Sequence, residues 1–166
     1  MKKAIIGLTI ALLAVGAAGC NKDKKTKAAS APAAVETLEY VDATFQRDDP
    51  NAQDPSTALT CKYIRVEGSN GAYTVSKAEI KTSGRCDFNA LKGSAASAGV
   101  LSADNAAAIV SAIVSDKSLP ATVGDKRGCT AFNMKTSTRK AAAQDCPDGS
   151  GKGAEVARSV AAILGL

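Results

Sequence analysis

TALTCKYIRVEGSNGAYTVSKAEIK, residues 57–81, contains the turn from which the fold of this chain can be worked out. Asn70-Gly71 is a strong signal for a two-residue hairpin turn, because both central residues of a type I′ turn need positive φ. The predicted strands on its two sides are 57–66 and 72–81. This register brings two favourable pairs together, Val66 with Val75 and Lys62 with Glu79.

A second hairpin is predicted from strands at 128–136 and 139–145. If Ser137-Thr138 forms its turn, Cys129 lies directly opposite Cys146, at a separation that a disulfide accepts. The opposite face then carries two large side chains against small ones, Phe132 with Ala143 and Met134 with Ala141. The same register sets Lys135 against Lys140, which is tolerable only if both side chains are exposed.

Two helices complete the predicted fold. The first runs from Ser102, which can cap it, to Asp116, and the second spans 153–164. Each has one apolar stripe: Ala106, Ile109, Val110, Ile113 and Val114 in the first, and Val156, Ala157, Val160, Ile163 and Leu164 in the second. The order of elements predicts an α+β domain, a small antiparallel sheet of two hairpins with two helices packed on one face.

Three segments are harder to interpret. Residues 35–47 fit a helix by their apolar spacing but have the composition of a strand. Residues 48–56 indicate a loop, and they do not match an EF-hand, because Asp54 and Thr60 stand where Gly and Glu are required. Residues 89–100 are small and give little sign of order.

The N-terminus has the pattern of a leader. Met1-Lys2-Lys3 is a positive start, and residues 4–18 form an apolar run that is short for a membrane span of about 20 residues. This predicts a signal peptide over 1–19. Its end, Ala17-Ala18-Gly19-Cys20, resembles the lipobox of bacterial lipoproteins, although Leu more commonly opens that box.

The resemblance implies that Cys20 receives diacylglycerol and, after cleavage, a further acyl chain such as palmitate, so that the protein is held in a lipid bilayer. In the lipoproteins that this box resembles, Asp after the cysteine is a signal for retention in the inner membrane. Asn21 stands there instead and favours the outer membrane, facing the periplasm, with the inner membrane and the cell surface as alternatives. Residues 20–34 then form a flexible basic and Ala/Pro-rich tether, and 35–166 a single domain. The tether's lysines either contact anionic headgroups or lie in solvent.

Four cysteines remain after lipidation of Cys20, and an even number in an exported chain predicts two disulfides. With Cys129 paired to Cys146, Cys61 pairs with Cys86 by elimination. In the predicted register Cys61 faces Ile80, so a third strand starting at Arg85 would place the two thiols about 10 Å apart, too far for a bond. Either residues 83–88 fold over the sheet or the first register is wrong.

Charge and composition exclude several classes of function. The net charge is +5, and residues 1–27 carry all of it, six lysines against one Asp. Residues 28–166 are electrically neutral and have few aromatic side chains. Since nucleic-acid binding needs a basic surface, we expect no nucleic-acid partner. The chain has no His and no Cys-x-x-Cys, so we expect neither a metal nor another cofactor. Carboxylates are scattered, and no catalytic residue is assigned.

Two short motifs resemble catalytic or binding signatures. Gly149 to Gly153, GSGKG, is similar to part of a nucleotide-binding loop, but Cys146 replaces the first glycine and Gly153 the hydroxyl residue. We therefore expect no nucleotide. Ser137-Thr138-Arg139-Lys140 spells Ser-x-x-Lys, yet it lies in a predicted turn rather than at a helix start.

The leading hypothesis is a non-enzymatic, membrane-anchored lipoprotein that binds an envelope protein or has a structural role in the cell envelope. The alternative is a periplasmic inhibitor similar to lysozyme inhibitors, and a His-free enzyme is the third possibility.

Replacing Cys20 by Ser should stop lipidation and normal processing of the leader, because the thiol is the acyl acceptor. Metabolic labelling with palmitate and membrane fractionation measure this, with Ser30→Ala in the tether as control. Normal processing and membrane retention of the Cys20→Ser protein would contradict the lipoprotein hypothesis.

Overall fold

The chain folds into one sheet with helices on both faces, in a computed structural model that describes residues 35–49 and 58–166. Its elements are β1 (Leu38–Asp48), β2 (Leu59–Ser69), β3 (Ala72–Thr82), α1 (Phe88–Ser94), β4 (Ala96–Leu101), α2 (Ala103–Ser115), β5 (Thr130–Thr136), β6 (Lys140–Asp145) and α3 (Ala154–Leu164). The six strands are antiparallel, in the order β4-β3-β2-β1-β5-β6. The predicted α+β class is confirmed. The signal peptide, Cys20 and the tether lie outside the described residues, as does most of the loop at 48–56.

The first hairpin has the predicted register. Asn70 and Gly71 have φ of 52° and 80°, as the tight turn requires. Val66 lies opposite Val75, and the Lys62 ammonium is 3.2 Å from the Glu79 carboxylate. The turn therefore determines which residues of β2 and β3 share a face.

The second hairpin is confirmed as well. Phe132 pairs with Ala143 and Met134 with Ala141, and all four are buried. Lys135 does lie opposite Lys140, and the Lys135 ammonium forms an ion pair with Glu39. That contact to a carboxylate on β1 offsets the repulsion between the two lysines.

The ambiguous segment at 35–47 forms β1, and its helical interpretation is wrong. β1 pairs with β2 on one side and β5 on the other, so it joins the two hairpins into one sheet. Val41 and Ala43 are buried on one side of it, whereas Asp42 lies on the other. This alternation is the period of a strand.

Helices α2 and α3 pack on one side of the sheet, here called the core face. Ile109, Ile113 and Val160 are fully buried there, against Val41, Val66, Phe132 and Met134 of the strands. Val114, predicted to lie in the apolar stripe, is instead 41% exposed. α2 is the longest described helix, with 13 residues. No helix in the described residues is long and apolar enough to span a membrane.

The other side, the reverse face, is covered by α1, which the sequence did not predict. Asp87 caps α1 by accepting bonds from two backbone N–H groups, and Leu91 packs on Leu59, Cys61 and Tyr63. The expectation of little order at 89–100 is therefore wrong, since this region forms α1 and β4. The next strand after β3 is β4, which begins at Ala96 and not near Arg85.

The edge of the sheet at β6 is covered by loops. The backbone N–H of Ala142 donates to Pro120, and that of Gln144 donates to Lys152, each over 2.7 Å. Gly151 makes this approach possible, because a Cβ there would lie 1.9 Å from the Gln144 carbonyl oxygen. Covering this edge leaves β4 as the outer strand at the opposite side of the sheet.

Gly151→Ala should lower the free energy of unfolding by about 1–3 kcal/mol, since the new methyl group forces the loop off β6. Urea denaturation followed by circular dichroism measures the change. Gly93→Ala is the matched control, because Gly93 lies in α1 and a Cβ added there would point into open space. It should be neutral or stabilise the protein by about 0.5–1 kcal/mol. Equal effects of the two substitutions would contradict this role of Gly151.

Candidate functional site

The predicted cysteine pairs are both present as disulfides. Cys129 and Cys146 have their Cα atoms 4.3 Å apart, and Cys61 and Cys86 have theirs 5.7 Å apart. Of the two options for residues 83–88, the structure therefore has the one in which they fold over the sheet, with the hairpin register unchanged. All four cysteines are bonded in pairs, and each disulfide contributes to the stability of the fold.

The Ser-x-x-Lys sequence lies in a hairpin turn, as predicted, and its serine has a structural contact. Ser137 lies in the turn between β5 and β6, and its hydroxyl oxygen accepts a bond from the Thr37 backbone N–H over 3.2 Å. The hydroxyls of Thr136 and Thr138 donate to the Glu36 carboxylate, and these bonds hold the pKa of Glu36 below its usual range. This turn therefore fixes the segment that leads into β1.

The glycines of GSGKG adopt backbone geometries that a side chain would disturb. Gly149 and Gly153 have φ of 71° and 64°, and a Cβ at Gly153 would lie 2.3 Å from the Leu119 side chain. Gly151 lies too close to the Gln144 carbonyl for a side chain, as described above. Local geometry therefore accounts for all three glycines. The segment is the connection between β6 and α3.

A polar network lies half-buried on the reverse face, around Asp42 of β1. Its carboxylate accepts a 2.5 Å bond from the Tyr63 hydroxyl and a 2.9 Å bond from the Arg65 guanidinium. Lys92 of α1 lies 3.8 Å away, and the Arg65 guanidinium stacks over Tyr40 at 5.4 Å. Neighbouring strands supply these groups because Asp42 pairs with Arg65 in the sheet.

The network is suited to holding strands together rather than to proton transfer. Burial raises the pKa of Tyr63 well above its usual range, and the hydrogen bond to Asp42 raises it further. Hydrogen bonding to Glu67 is the main cause that raises the pKa of Arg65. A general acid or base works best with a pKa near the operating pH, and these two groups titrate far from neutrality.

The core face has a part that the helices do not cover, here called the core-face groove. It begins where α3 ends, at Gly165 and Leu166, and three adjoining cavities of about 440, 280 and 360 Å³ follow one another along it. Its lining residues include Phe45, Arg47, Lys62, Lys77, Thr130 and Leu166, together with the carboxylates of Asp48, Glu79 and Asp145. The groove crosses five strands, from β6 to β3, and is therefore about 19 Å long.

The groove combines apolar and charged groups. Phe45 and Thr130 are half-buried on its floor, where they pair across β1 and β5, and Leu166 is 47% exposed beside them. Arg47 follows Phe45 on the same face of β1 and is exposed. A concave surface with an apolar floor and a few charged groups is typical of a binding site.

Sequence reasoning did not find this groove. Lys62 belongs to a strand that was predicted, and Phe45 and Arg47 to a segment whose composition suggested one. Nothing in their own pattern indicates that α2 and α3 leave them uncovered. The lengths of the predicted elements gave the one signal for it. A helix rises about 1.5 Å per residue and a strand about 3.3 Å, so a helix covers less than half of a strand with the same number of residues.

Within the described ranges, no group of three or more possible ligands could hold a metal ion.

Comparison with known proteins does not assign the chain to a family, since no family, curated protein or solved structure matches it significantly. The geometry of the groove and of the polar network is therefore the basis on which its function is argued.

Tyr63→Phe should remove part of the loss of stability at alkaline pH. A phenol whose pKa is raised by folding contributes stability that is fully present below its unfolded pKa, about 10, and is lost as the pH rises above it. The slope attributable to Tyr63 approaches about 1.4 kcal/mol per pH unit. Urea denaturation between about pH 9 and 11 measures it. Tyr73→Phe is the control, and an unchanged slope in Tyr63→Phe would refute this assignment.

Proposed function

We propose that this protein is a non-enzymatic, lipid-anchored binding module of the bacterial cell envelope. Acylated Cys20 holds it in the bilayer, and the core-face groove holds an envelope protein. The observation that carries the binding role is the groove itself, a 19 Å surface with an apolar floor that α2 and α3 leave open.

The position of the groove supports this function. The segment from the tether joins β1 at Leu38, whereas Phe45 and Arg47 lie seven and nine residues further along the strand. At about 3.3 Å per residue, the groove lies roughly 23–30 Å from that junction. A domain tethered at one end of β1 can therefore present the other end to a partner.

The proposed mechanism is tethering. A flexible spacer of about 15 residues lets the domain explore about 20–25 Å around its anchor, which raises its effective concentration near other envelope components. We place the anchor in the outer membrane, with the domain in the periplasm, on the basis of Asn21 after the lipidated cysteine.

A photo-crosslinking experiment tests the binding role. In the full-length protein, p-benzoylphenylalanine replaces Phe45 in the groove or Lys117, an exposed residue that does not line the groove. Irradiated cells should give one discrete adduct from position 45 and none from position 117, because only the first contacts the bound partner. The adduct should weaken when Cys20 is replaced by Ser.

The possible results separate the three hypotheses. Equal labelling from both positions, or none from position 45, would overturn the binding role of the groove. Inhibition of added lysozyme by the purified protein would favour the inhibitor alternative instead. Turnover of a cell-wall substrate, abolished by a single side-chain replacement, would favour an enzyme.

A further inference from the structure

We infer that the core-face groove recognises an extended acidic peptide segment, in which a carboxylate binds the Arg47 guanidinium and an apolar side chain rests on Phe45. This inference rests on the proposed binding role of the groove and adds the chemistry of the ligand. Four features of the groove support it: its charge, the arrangement of Arg47, its length and its floor.

The charge of the groove favours an anionic partner. Each side-chain carboxylate that lines it already has a cation: Glu79 is 3.2 Å from Lys62, Asp48 is 2.6 Å from Arg127, and Asp145 is 3.1 Å from Arg158. Within the described part of the chain, Arg47 and Lys77 form no ion pair. The groove therefore retains two cationic groups that can receive anions, while its own anions are neutralised.

Arg47 is arranged to recognise a carboxylate rather than to attract charge alone. A guanidinium presents a planar set of N–H donors that matches the two oxygens of a carboxylate. Phe45 lies two residues before it on the same face, about 7 Å away. A ligand with an acidic and an apolar side chain at comparable spacing satisfies both groups at once.

The length of the groove favours an extended peptide. About 19 Å accommodates roughly six residues at 3.3 Å each. Lys77 lies two strands away from Arg47, on β3, so a second acidic residue further along the same peptide reaches it. The Thr130 hydroxyl on the floor supplies a group that can hydrogen-bond with the peptide backbone.

The floor argues against a carbohydrate as the ligand. Sugar rings stack on flat, exposed aromatic faces, and Phe45 is half-buried between its neighbours on the floor. A small anion would fill only a fraction of cavities of 280–440 Å³. A peptide uses both the charged and the apolar parts of the surface.

The test measures binding of fluorescein-labelled peptides of about ten residues to the full-length protein in detergent, by fluorescence anisotropy. The acidic probe contains Glu, Leu, Ser and Gly, and two further probes carry Gln or Lys in place of every Glu. The acidic peptide should bind at least about tenfold more tightly than the others, and raising the salt from about 50 to 500 mM should weaken its binding.

Variants of the protein identify the residue responsible. Arg47→Gln should weaken binding of the acidic peptide about tenfold or more, Arg47→Lys should restore part of it, and Lys77→Gln should weaken it severalfold. Lys117→Gln is the matched control, since it removes one exposed charge elsewhere and should leave binding unchanged. Circular dichroism and thermal melting verify that every variant is folded.

Each outcome bears on a specific claim. Equal binding of the three peptides, no binding, or equal effects of Arg47→Gln and Lys117→Gln would overturn the acidic-peptide inference. If the groove still gives a discrete crosslink at position 45 in that case, the binding role stands and its ligand is different. Vesicles of anionic lipid that displace the peptide would show that a headgroup, rather than a peptide, is the ligand.

Discussion

The difference in length between strands and helices is the constraint from which the architecture of this domain follows. β1, β2 and β3 each have 11 residues and extend about 36 Å, whereas α2 and α3, with 13 and 11 residues, extend only about 20 and 16 Å. Two such helices cannot cover a face of six strands. The two helices cover the main apolar cluster of the core face, and the strand ends beyond α3 stay uncovered by them, as the core-face groove.

The two faces of the sheet are stabilised in different ways for the same reason. On the core face, large aliphatic side chains from α2 and α3 exclude water from Phe132 and Met134. On the reverse face, α1 has only seven residues and buries Leu91, so covalent and polar contacts supplement it. The disulfide at Cys61 and the carboxylate of Asp42, which binds groups from β2 and α1, stabilise this face.

Local sequence signals predicted the two hairpins, their registers and one disulfide directly, because turn residues and cross-strand pairs are encoded within about ten positions. α1 and β4 could not be predicted in this way. α1 is too short to be stable through its helix propensity alone, and the disulfide at Cys86 and the burial of Leu91 stabilise it. β4, with the sequence ASAGVL, is held by pairing with β3, a contact that only the folded sheet provides. The groove was not predicted because it depends on how much of the sheet the helices cover, which cannot be read from any single segment of the sequence.

An open apolar surface carries a risk of aggregation, and the charges around the groove reduce it. Pairing Asp48, Asp145 and Glu79 with cations keeps ionic groups at the rim without an excess of negative charge near Arg47. If Arg47 were paired within the chain, an anionic partner would first have to displace that contact, which would weaken binding. The groove therefore combines a solvated rim with a guanidinium available for a partner, an arrangement that core packing alone does not require.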